Sequence, residues 1–228
     1  MKRLDYFSTF EKLLWLFSVL FITAAFFIFD RSSPLSLIAS LIGVTFLIFN
    51  AKGNPIGQFL TIVFSIFYGV ISYSFAYYGE VITYLCMTAP MAFLALISWL
   101  KNPFKGNRAQ VKVNHISRKE VLFMIALTAA VTAVFYFILS AIGTANIIPS
   151  TFSVTTSFLA VYLTFRRSPY FALAYASNDL VLIILWALAS VKDRSYVSVL
   201  VCFIVFFVND LYGFISWKRM EKNQSDAD

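Results

Sequence analysis

Eight apolar runs decide what this chain can fold into. They fall at about 12–29, 34–50, 55–78, 81–100, 119–142, 147–165, 169–190 and 195–217. The hydrocarbon core of a bilayer is about 30 Å thick, which about 20 helical residues cross at 1.5 Å each. Inside it no water satisfies backbone N–H and C=O groups, so a spanning run closes its hydrogen bonds on itself as a helix. The breaks at Asp30–Ser33 and Gly79-Glu80 are short, which predicts tight helical hairpins and no interposed domain. Only 13% of residues are charged, against about 25% in soluble domains. The longest polar stretch, Lys101 to Glu120, is too short for a soluble domain. The expected class is therefore an all-α membrane protein of about eight transmembrane helices. The first run follows a basic Met-Lys-Arg start, as in a secretion signal. No small-x-small cleavage pattern precedes Asp30, so it is read as a retained N-terminal helix.

The bases predict orientation. With both termini cytoplasmic, the inner segments hold fifteen of them: Lys2, Arg3, Lys12, Lys52, Lys101, Lys105, Arg108, Lys112, Arg118, Lys119, Arg166, Arg167, Lys218, Arg219 and Lys222. The outer loops hold three, Arg31, Lys192 and Arg194. That asymmetry is the positive-inside pattern of a multi-pass cell-membrane protein. It also accounts for the net charge of +7 through topology and anionic membrane lipid headgroups. No basic-aromatic groove pattern accompanies the charge, so nucleic acid is not expected as a partner.

Runs two to four (Pro34 to Trp99) and six to eight (Pro149 to Trp217) share a layout. Each triplet opens at a proline, begins its next helix at another (Pro55, Pro169), and ends in Ile-Ser-Trp (Ile97–Trp99, Ile215–Trp217). One span separates the triplets, so two three-helix units would point the same way in the membrane. Transporters built from parallel repeats hold substrate near the midplane between the halves.

The last two runs each carry an Asn-Asp pair well inside them, Asn178-Asp179 and Asn209-Asp210. An acid at membrane depth costs roughly 2.5–3.5 kcal/mol on insertion scales, which asks for a functional reason. Folding back at Lys192-Asp193 would bring both pairs to similar depth. The matching positions of the first unit, near Phe64-Ser65 and Met91-Ala92, are uncharged. The site is then asymmetric, as suits one organic substrate. With no Lys or Arg at that depth, Asp179 and Asp210 must be protonated, held by hydrogen bonds, or neutralised by a ligand's charge. Tyr175 or Trp186 would offer a cation an aromatic face. Gln58, Asn178 and Asn209 would offer amides to hydroxyl and carboxamide groups. Tyr68 and Tyr84 are the remaining deep rings among the candidate substrate contacts. The other reading is that the Asn-Asp pairs only lock the last two helices together.

Other features have plainer readings. Tyr77 and Tyr78 belong to an interfacial aromatic belt, and Pro90 predicts a kink in run four. The hydroxyls of run six (within 150–165) suit close helix packing. Cys86 and Cys202 act as small hydrophobes, and His115 stands alone in the basic loop, so neither metal nor cofactor is expected. No H-E-x-x-H, G-x-S-x-G or Walker A pattern occurs. A two-aspartate protease would want a glycine-flanked context that Asp179 and Asp210 lack, so no enzyme is expected.

The runs GNPIGQ (53–58), YYGEVITY (77–84), SWLKNP (98–103), YASNDLVLIILW (175–186) and NDLYGFISW (209–217) resemble the PnuC family of vitamin-precursor transporters, and within it the nicotinamide riboside branch. The resemblance extends from Pro34 to Trp217. It implies two parallel three-helix bundles joined by a linker helix in a SWEET-like arrangement, plus one N-terminal helix. The corresponding units are 1–33, 34–100, 101–146 with the basic loop and linker helix, 147–217, and a tail at 218–228. It further implies a homotrimer that carries nicotinamide riboside by facilitated diffusion, with phosphorylation trapping the product. Sister branches carry thiamine and riboflavin, and a proton-coupled carrier with Asp179 as relay is the other alternative. The Trp-x-x-Trp that many riboside transporters carry before this Asp appears here as Ala172 and Tyr175.

Overall fold

The computed structural model describes residues 6–74, 78–144 and 146–227; Tyr77 lies outside them. Eight helices occupy the eight apolar runs: α1 (Thr9–Phe29), α2 (Pro34–Ala51), α3 (Pro55–Ser74), α4 (Tyr78–Lys101), α5 (Arg118–Ala141), α6 (Ile147–Phe165), α7 (Phe171–Lys192) and α8 (Val197–Ser225). Each is long and apolar enough to cross a membrane. Their starts follow from local chemistry. Ser8 and Glu11 form a reciprocal capping box on α1. Pro34 and Pro55 open α2 and α3, where a missing N–H costs nothing.

The ends of α2 and α6 match one another. Each passes through a left-handed residue, Gly53 (φ 65°) or Arg167 (φ 57°), just before Pro55 or Pro169. Glycine adopts that conformation freely, whereas a residue with a Cβ pays about 1–2 kcal/mol. Arg167 offsets the strain by donating from its guanidinium to Ser98 Oγ at 2.7 Å and Lys112 O at 3.2 Å.

Three features depart from the sequence reading. Helix α4 begins at Tyr78, so Gly79-Glu80 lies in its first turn and is no loop. Its irregularity is a π-helical segment, Thr83–Thr88, ahead of Pro90, and Pro90 itself is exposed. The basic loop contains a small hairpin, β1 (Pro103–Phe104) antiparallel to β2 (Asn107–Val111). The presumed tail is helical through Ser225. It stays helical because Gln224 has a job there: it accepts from Val113 N at 2.8 Å and donates to Val111 O at 3.0 Å.

Within 34–101 and within 147–225, consecutive helices pack side by side. The two sets join where α2 meets α8 and α4 meets α6, while α1 lies on α2 and α8, and α5 lies on α6. The joints are matched atom for atom. Trp99 Nε1 donates to Thr164 O at 2.9 Å and Ser98 Oγ to Phe165 O at 3.0 Å. Trp217 Nε1 donates to Asn50 O at 2.7 Å and Ser216 Oγ to Ala51 O at 2.7 Å. The strand-bearing segment then crosses this end, Val111 N donating to Gly53 O and Asn114 N to Arg167 O.

Two apolar cores result. One, at the tryptophan end, contains Trp99, Phe171, Trp217 and Met220. The other contains Phe64, Tyr68, Leu182, Trp186, Phe203 and Phe206. On α7 and α8 the residues between the two cores are the Asn-Asp pairs, so the buried polar layer lies between two greasy ones. The outward face of α5, with Leu122, Phe123 and Phe137 all exposed, suits lipid.

Candidate functional site

All four residues of the Asn-Asp pairs are buried, at 2–5% exposure. Asp179 and Asp210 face one another across the α7–α8 interface, and two carboxyl groups meeting in one buried site repel each other when both are charged. No Lys or Arg pairs with either among the described residues. Among the described residues Asp179 Oδ2 has no hydrogen-bond partner, nor has Asn209 Oδ1. Unsatisfied buried acceptors are rare and each asks for an explanation.

The asparagines do not join α7 to α8, as the lock reading supposed. Asn178 Oδ1 faces α6, where Ser153 Oγ, Thr156 Oγ1 and Ser157 Oγ donate to it at 3.2, 2.8 and 3.1 Å. These hydroxyls sit at i, i+3 and i+4, one face of one helix, a signal present in the sequence but read as general packing. Asn209 Nδ2 instead reaches α1, donating to Ser18 Oγ at 2.9 Å. Nothing in the local pattern of α1 advertises Ser18. The asparagines therefore fix α7 and α8 in place, and the aspartates are left facing one another.

Aromatic rings surround the pair. Tyr84 lies within electrostatic reach of Asp179, and Tyr175 within reach of both acids. The Tyr68 ring stands 4.5 Å from that of Tyr84 and stacks on Phe64 at 5.5 Å. Trp186 sits further along α7, its ring 5.5 Å from Tyr196. Gln58 is elsewhere. It is buried near the tryptophan end, where its Nε2 donates to Asn50 Oδ1 at 2.8 Å, so its amide is already engaged. Ala172 is fully buried, with Gly213 so close that a Cβ there would lie 3.4 Å from that of Ala172. The close approach of α7 and α8 leaves no room for an indole at 172.

A cavity of about 630 Å³ opens at the end remote from Trp99 and Trp217, between α4, α6 and α7. Trp186, Thr83 and Glu80 line it, and Lys192 and Asp193 stand at its mouth. Asp193 accepts from Ser195 N at 2.9 Å, and that backbone bond holds its carboxyl below the usual carboxylate range. Ser153 both lines the cavity and donates to Asn178, so the cavity floor and the polar layer share a residue. The volume lies within the roughly 300–1,000 Å³ of small-molecule sites. Glu80 was read as an outer-surface residue; its place in the cavity wall follows from α4 starting at Tyr78.

Comparison with known proteins supplies three findings. Residues 33–219 match the family described as nicotinamide mononucleotide transporter. A curated relative, the nicotinamide riboside transporter PnuC of Neisseria mucosa, is 28% identical over 216 residues, covering 92% of this chain and 82% of its own. The crystal structure of the vitamin B3 transporter PnuC superposes with a TM-score of 0.83 at 23% identity, covering 96% of this chain and 94% of that one. The last likeness concerns the fold.

Proposed function

The chain belongs to the nicotinamide mononucleotide transporter family, and from that premise we propose that it carries nicotinamide riboside into the cytoplasm by facilitated diffusion. Membership of a transporter family also answers the protease reading of the two aspartates: the protein is a multi-pass membrane transporter, not an enzyme. The observation that carries the choice of substrate is the Asp179–Asp210 pair, two buried carboxyl groups with no basic partner among the described residues and an unpartnered Oδ2. Nicotinamide riboside is a monocation with amide and hydroxyl donors. Its pyridinium would lie against Tyr84 or Tyr175 beside the pair, a cation–π and charge pairing. Asn209 Oδ1 would accept from the ribose or carboxamide. The relative's name supports the same substrate.

The rest of the reading rests on the same footing. Both termini face the cytoplasm, so the cavity opens outside and the tryptophan end inside, in accord with the fifteen-to-three distribution of bases. The units 34–100 and 147–217 act as two parallel bundles, supported by the matched Trp and Ser hydrogen bonds, with 101–146 as the connection and 1–33 as an added helix. Three copies associate within anionic lipid, and a cytoplasmic kinase traps the product. Proton coupling is the second reading, favoured by two carboxyl groups that meet in one buried site, where a shared proton relieves their repulsion.

Uptake of labelled riboside into proteoliposomes tests both. Equilibration that ignores a pH gradient is the expected result. Accumulation driven by the gradient would favour the coupled carrier, and no uptake in either condition would remove the riboside reading.

A further inference from the structure

Glu80 is an acid the mechanism above does not use. It lies in the first turn of α4, in the wall of the 630 Å³ cavity. It makes no hydrogen bond or ion pair with any described residue. Lys192 stands at the mouth of the same cavity but does not pair with it. A carboxylate walled by Leu185, Leu139 and Trp186 has given up part of its hydration without a protein cation in return. Such a group is retained at a cost unless something else neutralises it.

The position of Glu80 says what that is. Tyr84 lies within electrostatic reach of both Glu80 and Asp179. The indole of Trp186 lines the cavity opposite α4, and Asp193 adds a second negative charge at the rim. Two acids against one base, Lys192, leave the lining net negative, and a charge imbalance in a low-dielectric cleft focuses the field and raises the local concentration of counter-ions.

We propose that Glu80 is a specificity-determining residue, which captures the cationic ring of the substrate in the outer cavity before it passes Tyr84 to the Asp179–Asp210 pair. The inference rests on the riboside reading and adds a second, shallower stop on the same route. At the first stop the ring lies between the Glu80 carboxylate and the face of Trp186. At the second it lies against Tyr84 or Tyr175 beside the acid pair. Neutral analogues gain nothing from the first stop, so Glu80 acts on selection and capture and leaves the passage step alone.

The test is riboside uptake by wild type, Glu80→Gln and Glu80→Asp in proteoliposomes, with the thermal midpoint of each measured in parallel. The expected result for Glu80→Gln is a KM raised about tenfold, the low end of electrostatic focusing, at an unchanged maximum rate and an unchanged midpoint. Glu80→Asp, which keeps the charge, should recover most of the lost affinity. An unchanged KM in Glu80→Gln overturns the inference. A raised KM accompanied by a fallen midpoint, not recovered by Glu80→Asp, overturns it in favour of a structural role. Wild-type vesicles that take up no riboside would overturn the functional reading itself, an outcome distinct from either.

Discussion

The indole rings of Trp99 and Trp217 meet with their centroids 5.4 Å apart, and each donates its N–H to a carbonyl in the opposite half of the chain. Trp99, at the end of α4, holds Thr164 O on α6; Trp217, on α8, holds Asn50 O on α2. Both rings are 0–1% exposed. The last helix of each half is thus fastened to the first helix of the other. This end is closed by the fastening while the far end keeps its cavity.

Trp99→Phe and Trp217→Phe should destabilise the protein to similar extents. Each removes one of two donors from a carbonyl, since Thr164 O also accepts from Arg167 N and Asn50 O from Gly53 N, a net loss of about 0.5–1.5 kcal/mol, and removes part of a packed ring. Because the rings touch, the double variant should depart from additivity by 0.5 kcal/mol or more, roughly the least expected of contacting residues. Thermal unfolding in detergent measures both, and strict additivity would mean the junction is not one unit.

Asn178 should tolerate loss of any one of its three hydroxyl partners. A carbonyl oxygen has two lone pairs, and three donors converge on Asn178 Oδ1. Ser153→Ala, Thr156→Val or Ser157→Ala alone should cost about 0.6 kcal/mol or less, the mean for hydrogen bonds between membrane helices. Asn178→Leu should cost more than any of them, since it strands the Ser153 and Ser157 hydroxyls, while Thr156 keeps Phe152 O at 2.9 Å. The ranking of melting temperatures decides the matter.

Asp179→Asn keeps the shape of the side chain and removes its acid. Riboside affinity should fall by about one to two orders of magnitude, at about 1.4 kcal/mol per tenfold, with the melting temperature nearly unchanged. A large drop in melting temperature, with ligand-induced stabilisation intact in the folded fraction, would instead make the pair structural.

Riboside should bind and the mononucleotide should not, although the family takes its description from the latter. A phosphate brings a charge of about −1.5 to −2 and needs Arg, Lys or a helix N-terminus to offset its desolvation. The acids at depth are Asp179 and Asp210, and the cavity above them presents Glu80. Calorimetric titration with both ligands checks this, and comparable affinities would break the charge argument. The same discrimination would let phosphorylation trap the product.

Both ends of the chain should be inaccessible from outside. In a Cys86→Ser background, which removes the exposed native thiol, a cysteine at Asn223 should resist impermeant reagents in intact cells. One at Ser195, between α7 and α8, should react.

Eight helices were legible before any coordinates because an apolar run of bilayer length has one way to satisfy its backbone. The prolines and the two Ile-Ser-Trp triplets likewise stood out as a shared layout, and the Trp of each triplet, Trp99 and Trp217, makes a joint between the two sets of helices. The Asn-Asp pairs stood out as polar residues where polarity is expensive. What each of them touches was not legible. Asn178 turns to α6 and Asn209 to α1, Gln58 is spent on Asn50, and Glu80 moves from surface loop to cavity wall. The sequence by itself determined how many spanning helices the described residues form and most of the breaks between them, though not the start of α4 or the end of α8. The tertiary structure decided the rotation and axial offset of each helix, and hence which side chains meet. The reason is physical: helices that are apolar nearly all round carry no amphipathic stripe to orient them, so their faces are set by long-range contacts such as Trp99 to Thr164 and Asn209 to Ser18. The π-helical turn at Thr83–Thr88 then re-aims α4 by an amount no local pattern records.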